Sequence, residues 1–180
     1  MELRLVRPER GMEAAALDFR QAFFDSGETV INGSELLDQT ASYAEWLRNV
    51  TANANPETVS PDWVLTDTFF AFDAQNRIVG IIDLRHTLNA FLRDFGNCGY
   101  SVRPSERKKG YATEMLRQLL QIAAAAGMHE LHLSVERDNL PSVRTIRKNG
   151  GVYERSFVFE GAEADIYRIA LNRSSRDENL

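Results

Sequence analysis

The chain has 180 residues, 43% of them apolar and 26% charged; this length and balance fit one soluble globular domain with a substantial core. The formal net charge of −5 argues against a general nucleic-acid or membrane-surface binder, and a lone cysteine, Cys98, excludes an internal disulfide and a cysteine-based metal site. No segment approaches the ~20 apolar residues of a membrane span and the N-terminus lacks a signal-peptide run, so a reducing, cytoplasmic setting is expected.

Residues 2–7, ELRLVR, alternate as a short strand, and 8–11 form a turn. Helical spacing then runs from Glu13 to Phe24 through Ala16, Leu17, Phe19, Ala22 and Phe23. A polar stretch broken by Gly27 and Gly33 shows no period. Ser42 caps a helix carrying Tyr43, Trp46, Leu47 and Val50, and residues 51–61 read as a loop. Residues 63–72 and 77–86 pair as a hairpin about the turn 73–76. Residues 88–95 allow a helical turn or two, and 97–103 form a strand stopped by Pro104. The strongest helix runs from Gly110 to Ala126, striped by Tyr111, Met115, Leu119 and Ile122 and closed by Gly127. Residues 130–136 alternate as a strand, Asn139 caps a last helix ending at Asn149-Gly150-Gly151, and residues 152–171 make a final hairpin. This order predicts an α+β fold, a mixed α/β sandwich with a central, mostly antiparallel sheet flanked by helices. Strands 97–103 and 130–136 are expected to lie parallel across a right-handed crossover. Residues 1–173 form one domain, with 174–180 as a tail.

Only three of the 21 basic residues are lysines, and two of them, Lys108 and Lys109, stand with Arg107 at the mouth of the strongest helix. A helix start offers unsatisfied N–H groups and the positive end of the helix dipole, and Gly110 allows close approach of a ligand to the backbone. Together these features suit a diphosphate. The glycine-rich loop ending in Gly-Lys-Ser/Thr is absent, and so are the three spaced glycines of a dinucleotide fold.

The stretch GYSVRPSERKKGYATEML resembles motif A of the GNAT superfamily of N-acetyltransferases, with Arg107, Gly110 and Ala112 at its Arg/Gln-x-x-Gly-x-Gly/Ala positions. A second familiar piece follows in LSVERDNLPSVRTIRKNGG, where Asn139, Ser142, Lys148 and Gly150 stand at the family's Asn-x-x-Ala/Ser and Lys-x-Gly positions. The resemblance covers residues 63–171 and implies a GNAT-like acyl-CoA N-acyltransferase fold in which strands 97–103 and 130–136 splay apart. It further implies acetyl-CoA as co-substrate and no metal. The pyrophosphate would lie on Arg107, Lys108, Lys109, Gly110, Tyr111, Ala112 and Thr113. The pantetheine would run along Tyr100, Ser101 and Val102, with Asn139, Ser142 and Lys148 completing the site. The expected partner is a small-molecule amine, with no nucleic acid or membrane, on a monomer or homodimer.

Transfer to an amine needs a placed nucleophile, a donor for the oxyanion and a route for protons. The backbone N–H of Val102 is the expected oxyanion donor. Many family members protonate the leaving thiolate with a tyrosine four residues after the Ala/Ser position; here that position is Ile146, and the nearest downstream phenol is Tyr153. The departure leaves open another acid, departure as thiolate, or an acyl-CoA-binding module without turnover. His86, Asp83 and Glu106 are the candidate bases: His86 ends a central strand, Asp83 shares a face with Arg85, and Glu106 reads as a solvated or capping carboxylate. Cys98 reads as a buried, inert thiol. Residues 25–70 hold eight acids against one base, Arg48, which favours a cationic amine.

Overall fold

A computed structural model describes residues 2–171 of the chain. The order is β1 (Leu3–Val6), α1 (Glu13–Asp25), α2 (Tyr43–Asn53), β2 (Thr66–Asp73), β3 (Ile78–Arg85), β4 (Tyr100–Val102), α3 (Tyr111–Ala125), β5 (Glu130–Glu136), α4 (Leu140–Lys148), β6 (Val152–Phe159) and β7 (Ala162–Ala170). The proposed tail, 174–180, lies outside the described residues.

Local chemistry sets most of these boundaries. Ser42 Oγ accepts the Glu45 N–H at 3.4 Å and starts α2, which runs to Asn53 where the sequence suggests a loop from residue 51. Asn139 Oδ1 accepts the Ser142 N–H at 3.3 Å and Pro141 sits in the first turn of α4. β2 begins at Thr66 rather than Trp63, because the Thr66 hydroxyl turns back onto the Val64 carbonyl at 2.8 Å.

Strands β1-β2-β3-β4 form one antiparallel sheet and β5-β7-β6 a second. Pairing in β2 and β3 sends alternate side chains to opposite faces. Phe70, Phe72 and Ile81 pack under α1 and α2 with Phe19, Phe23, Trp46 and Leu37. Phe69, Ala71, Ile82 and Leu84 pack on the other face with Met115, Leu116, Leu119 and Ala123 of α3. This second cluster also takes Leu131 and Leu133 of β5 and Val143 and Ile146 of α4, so one core holds both sheets. Each fully buried Phe, Leu or Ile contributes about 1.5–3 kcal/mol.

The expected mixed sheet is realised differently: β4 and β5 share no ladder, and every ladder among the described residues is antiparallel. β4 is three residues long, and the sheets meet at a single bridge between Gly96 and Leu133. Asn97 staples that point. Its N–H donates to His132 O at 2.7 Å and its Oδ1 accepts the His132 N–H at 2.8 Å; toward β3, its Nδ2 donates to Arg85 O at 3.0 Å. Beyond this staple the two sheets part, leaving one edge of β4 open.

Candidate active site

The open edge has a defined polarity. Arg103 N–H donates to Val79 O at 2.8 Å and Asp83 N–H to Gly99 O at 3.1 Å, which makes residues 99, 101 and 103 the hydrogen-bonded positions against β3. The backbone groups of Tyr100 and Val102 therefore turn away from β3, toward the gap. A cleft of ≈ 720 Å³ occupies that gap. Its walls are β4, the turn from Glu106 to Gly110, the first turn of α3, the face of α4 that carries Asn139, Ser142, Arg144, Thr145 and Lys148, and a strap comprising Glu28, Val30 and Asn32.

At the mouth of α3 the backbone supplies donors. Lys108 has φ 64 and Gly110 φ 89, a left-handed conformation that glycine adopts without cost. The N–H groups from Lys108 to Thr113 donate to no acceptor among the described residues, and α3 has no side-chain cap. These six consecutive donors, five of them on residues that line the cleft, and the helix dipole stand at one end of it. Lys108, Arg144 and Lys148 line it without an ion pair among the described residues. Three such cations without a carboxylate partner thus gather along one cleft.

The expected site residues fall in different places. Tyr100, Ser101, Val102, Arg107, Lys108, Gly110, Tyr111, Ala112, Thr113, Asn139, Ser142 and Lys148 all line the cleft. Lys109 does not: its Nζ lies 2.8 Å from Glu106 Oε2, and Glu106 is buried rather than solvated. Arg107 is spent on a second carboxylate, pairing through Nη1 and Nη2 with Glu28 at 2.7 and 2.8 Å. The Arg107 guanidinium holds the Glu28 carboxyl below its ordinary range. Arg107 Nε also reaches the Val102 carbonyl at 3.2 Å, tying the basic turn to β4. The Tyr100 hydroxyl meets Ser142 Oγ at 2.6 Å, and burial pushes its pKa up.

The structure does not bring His86 or Tyr153 into the cleft. His86 Nε2 lies 2.8 Å from Asp67 Oδ2, and Asp67 also takes Arg7. Tyr153 lies half-exposed on β6, its hydroxyl 2.8 Å from Ser156 Oγ. Ile146 is 1% exposed in the core, so no phenol occupies that helix position. Asp83 and Arg85 pair as their shared face suggests, at 2.9 Å, and Glu35 joins them. Three of the eight acids in residues 25–70 are spent in such pairs, Glu28, Glu35 and Asp67 each lying beside an arginine. Strap residues Val30 and Asn32 escaped the sequence reading, and Glu28 entered it only as one of eight acids, because their stretch has no periodicity; their placement depends on contacts with residues about seventy positions away, such as Ser101 Oγ donating to Asn32 O at 2.9 Å.

An antiparallel sheet with one open internal edge, ending at a cationic helix mouth, defines a binding fold for an extended ligand that carries phosphate at one end. A family model described as an acetyltransferase (GNAT) domain matches residues 2–152, and the chain belongs to that superfamily of N-acetyltransferases. Among solved structures it is similar to RimL, a ribosomal L7/L12 α-N-protein acetyltransferase in complex with coenzyme A, with TM-score 0.70, 15% identity and coverage of 96% of each chain. It is similar to yncA from Salmonella typhimurium with acetyl-CoA, with TM-score 0.67, 14% identity and 99% of each chain covered. It is also similar to a chimera of the Vibrio cholerae spermidine N-acetyltransferase SpeG and hSSAT, with TM-score 0.64, 17% identity and coverage of 95% of this chain and 96% of that one. No curated protein sequence matches significantly. Among the described residues, no helix is long and apolar enough to cross a membrane.

Proposed function

We propose that the chain transfers an acetyl group from acetyl-CoA to the primary amine of a small acceptor, and that the cleft along β4 holds the acetyl-CoA. The run of unpaired N–H groups from Lys108 to Thr113, together with the free N–H groups of Tyr100 and Val102 along β4, carries the reading. A diphosphate satisfies the first set, with Lys108, Arg144 and Lys148 balancing its charge. An amide-bearing arm pairs with the second as an added strand. The cleft lies within the roughly 300–1,000 Å³ typical of small-molecule sites.

In this placement the Val102 N–H faces the thioester carbonyl and stabilises the oxyanion. The sulfur leaves as thiolate. A thiol of pKa about 8.5 is a tolerable leaving group near neutrality, so a buried Ile146 at the usual acid position is compatible with turnover. The likeness to a spermidine N-acetyltransferase agrees with an amine acceptor. Ile146 also favours a second reading, in which the fold binds acyl-CoA without turning it over.

Two measurements test this. Calorimetry of coenzyme A against the wild type and Gly110→Val should show binding weakened at least ~10-fold in the variant, because a β-branched residue resists φ 89 and crowds the N–H array. Equal affinity would refute the diphosphate placement. Free-thiol release with a panel of amines should show acceptor-dependent turnover; binding without release selects the second reading.

A further inference from the structure

Beside the cleft, on the face of the first sheet under α1 and α2, lies a polar cluster in an otherwise apolar core. Asp83 and Arg85 point to that face from β3, and Thr68 of β2 is the direct cross-strand partner of Asp83. Glu35 reaches the cluster from the strap, its side chain 11% exposed and its carboxyl 3.9 Å from Arg85 Nη2.

The cluster is under-satisfied. Thr68 Oγ1, Asp83 Oδ2, Arg85 Nε and Trp63 Nε1 are buried without a hydrogen-bond partner; the one other such side-chain atom among the described residues is Arg20 Nε. Asp83 Oδ2 sits 2.9 Å from Arg85 Nη2 but out of line for a hydrogen bond, and Trp63 Nε1 lies close enough to the Glu35 carboxyl to favour its charged form. Asp83 is 0% exposed and Thr68 2%. Buried polar atoms in native folds normally find partners, so a local concentration of orphans marks a place with another task. The backbone agrees: Glu35 and Leu36 have φ 49 and 67, two successive non-glycine residues in the left-handed region.

The position fits the chemistry. Gly33, two residues before Glu35, lies against the Gly99 carbonyl, and the Gly99 N–H donates to Asp83 Oδ1 at 2.5 Å. Tyr100, whose backbone faces the gap, is the next residue, and Asn32 lines the cleft directly. None of the cluster's side chains lines the cleft itself; the cluster lies behind Gly33 and Gly99, just past the end of the cleft remote from the basic turn. Two carboxylates share one guanidinium, so the group is one positive charge short.

We propose that Glu35 is the base that takes the proton from the acceptor's ammonium group, directly or through one water, with Asp83 and Arg85 holding it in place. The proposal rests on the acetyl-transfer reading above. The Glu35 carboxylate removes one proton from R–NH3+. The nitrogen lone pair forms the C–N bond, and the C–S bond breaks with its electron pair on sulfur. The second nitrogen proton goes to the thiolate, giving amide, free thiol and a protonated Glu35 that returns its proton to solvent. Burial, first, and the neighbouring Asp83 charge raise the Glu35 pKa to about 8, against the opposing pull of Arg85 and Trp63. The Cys98 thiol, kept protonated by burial and the Asp83 charge, also lies at this corner, with the Tyr100 phenol near it. A base of that strength suits an alkylammonium far better than an ordinary carboxylate.

The test compares wild type, Glu35→Gln and Glu35→Asp in kcat/KM from pH 6 to 9.5 with one amine, coenzyme A affinity by calorimetry, and carboxyl carbon-13 NMR of glutamate-labelled protein. Glu35→Gln should lose ~10²–10³-fold in kcat/KM at pH 8.5, and the rise near pH 8 beyond the amine's own ionisation should vanish, while coenzyme A affinity stays within ~3-fold. Glu35→Asp should keep a rise, displaced in pH. In the wild type one carboxyl resonance should titrate between pH 7 and 9 and be missing from Glu35→Gln. A uniform loss at every pH, a profile parallel to wild type, or a Glu35 resonance titrating near pH 4–5 would each overturn the proposal. Wild type that releases no thiol with any amine would remove acetyl transfer, and this role with it; wild-type turnover with an unchanged Glu35→Gln profile would remove Glu35 alone.

Discussion

Replacing Gly33 by alanine isolates how tightly the strap is seated on β4. A Cβ built at Gly33 falls 2.2 Å from Gly99 O, 2.4 Å from Gly99 C and 2.8 Å from Tyr100 N. All three are backbone atoms, so no side chain can swing aside, and relief requires the strap to lift by about 1 Å. Three costs follow: about 1 kcal/mol for φ +74 in a residue with a Cβ, about 1 kcal/mol for the Ser101–Asn32 hydrogen bond, and roughly 1–2 kcal/mol of residual overpacking. The expected total is ~3–4 kcal/mol. Gly127→Ala is the control, since Gly127 has a similar φ of +85 with nothing within 4 Å of its virtual Cβ, and should lose only ~1 kcal/mol. Urea unfolding of the two variants, compared at equal m-value, measures the difference. Equal losses would refute the backbone contact between strap and strand, and with it the closed end of the cleft.

Asn97→Ala removes the side-chain bonds that Asn97 makes to each sheet and strands the Arg85 carbonyl and His132 N–H, so a loss of ~2–5 kcal/mol is expected in the same assay; a loss below ~1 kcal/mol would show that the backbone bridge and the shared core suffice to hold the sheets together. Glu35 makes stability depend on pH. Its carboxyl ionises near 4.5 in the unfolded chain and at about 8 in the fold, so between those values the folded state binds more protons and stability falls as pH rises, by at most ~5 kcal/mol, levelling off above pH 8. Glu35→Gln should flatten that fall; urea titrations at pH 5, 7 and 9 check it. Cys98 is buried and burial raises its pKa well above the ordinary range, so a thiol reagent should label it only in denaturant; rapid labelling of the native protein would contradict its place in the core.

What the sequence disclosed follows from what each signal encodes. The α3 stripe and the cap residues Ser42 and Asn139 are local, and the structure places them where periodicity and capping chemistry indicate. The basic turn was equally visible, because a helix mouth, a glycine and like charges lie together in the chain. Which of those charges stay free was not visible: Arg107 meets Glu28 across 79 residues, and Lys109 meets a Glu106 whose burial no local pattern predicts. His86 stood out by residue type, yet its partner Asp67 comes from the adjacent strand by register. Glu35 lay hidden for the opposite reason. It sits in an aperiodic stretch and becomes unusual only when β2 and β3 close around it. The short β4 has the same origin, because Asn97 spends its bonding on the neighbouring sheet.

The parting of the sheets has a further bearing on how this architecture tolerates change. An edge that recognises its ligand through main-chain amides asks little of the residues that carry them, provided the strand stays straight and the helix mouth stays open. Drift in the walls of the groove can then retune which molecule arrives from the strap side while the grip on the donor persists. Grip and choice are written in separate parts of the chain, one in its backbone geometry and the other in its side chains.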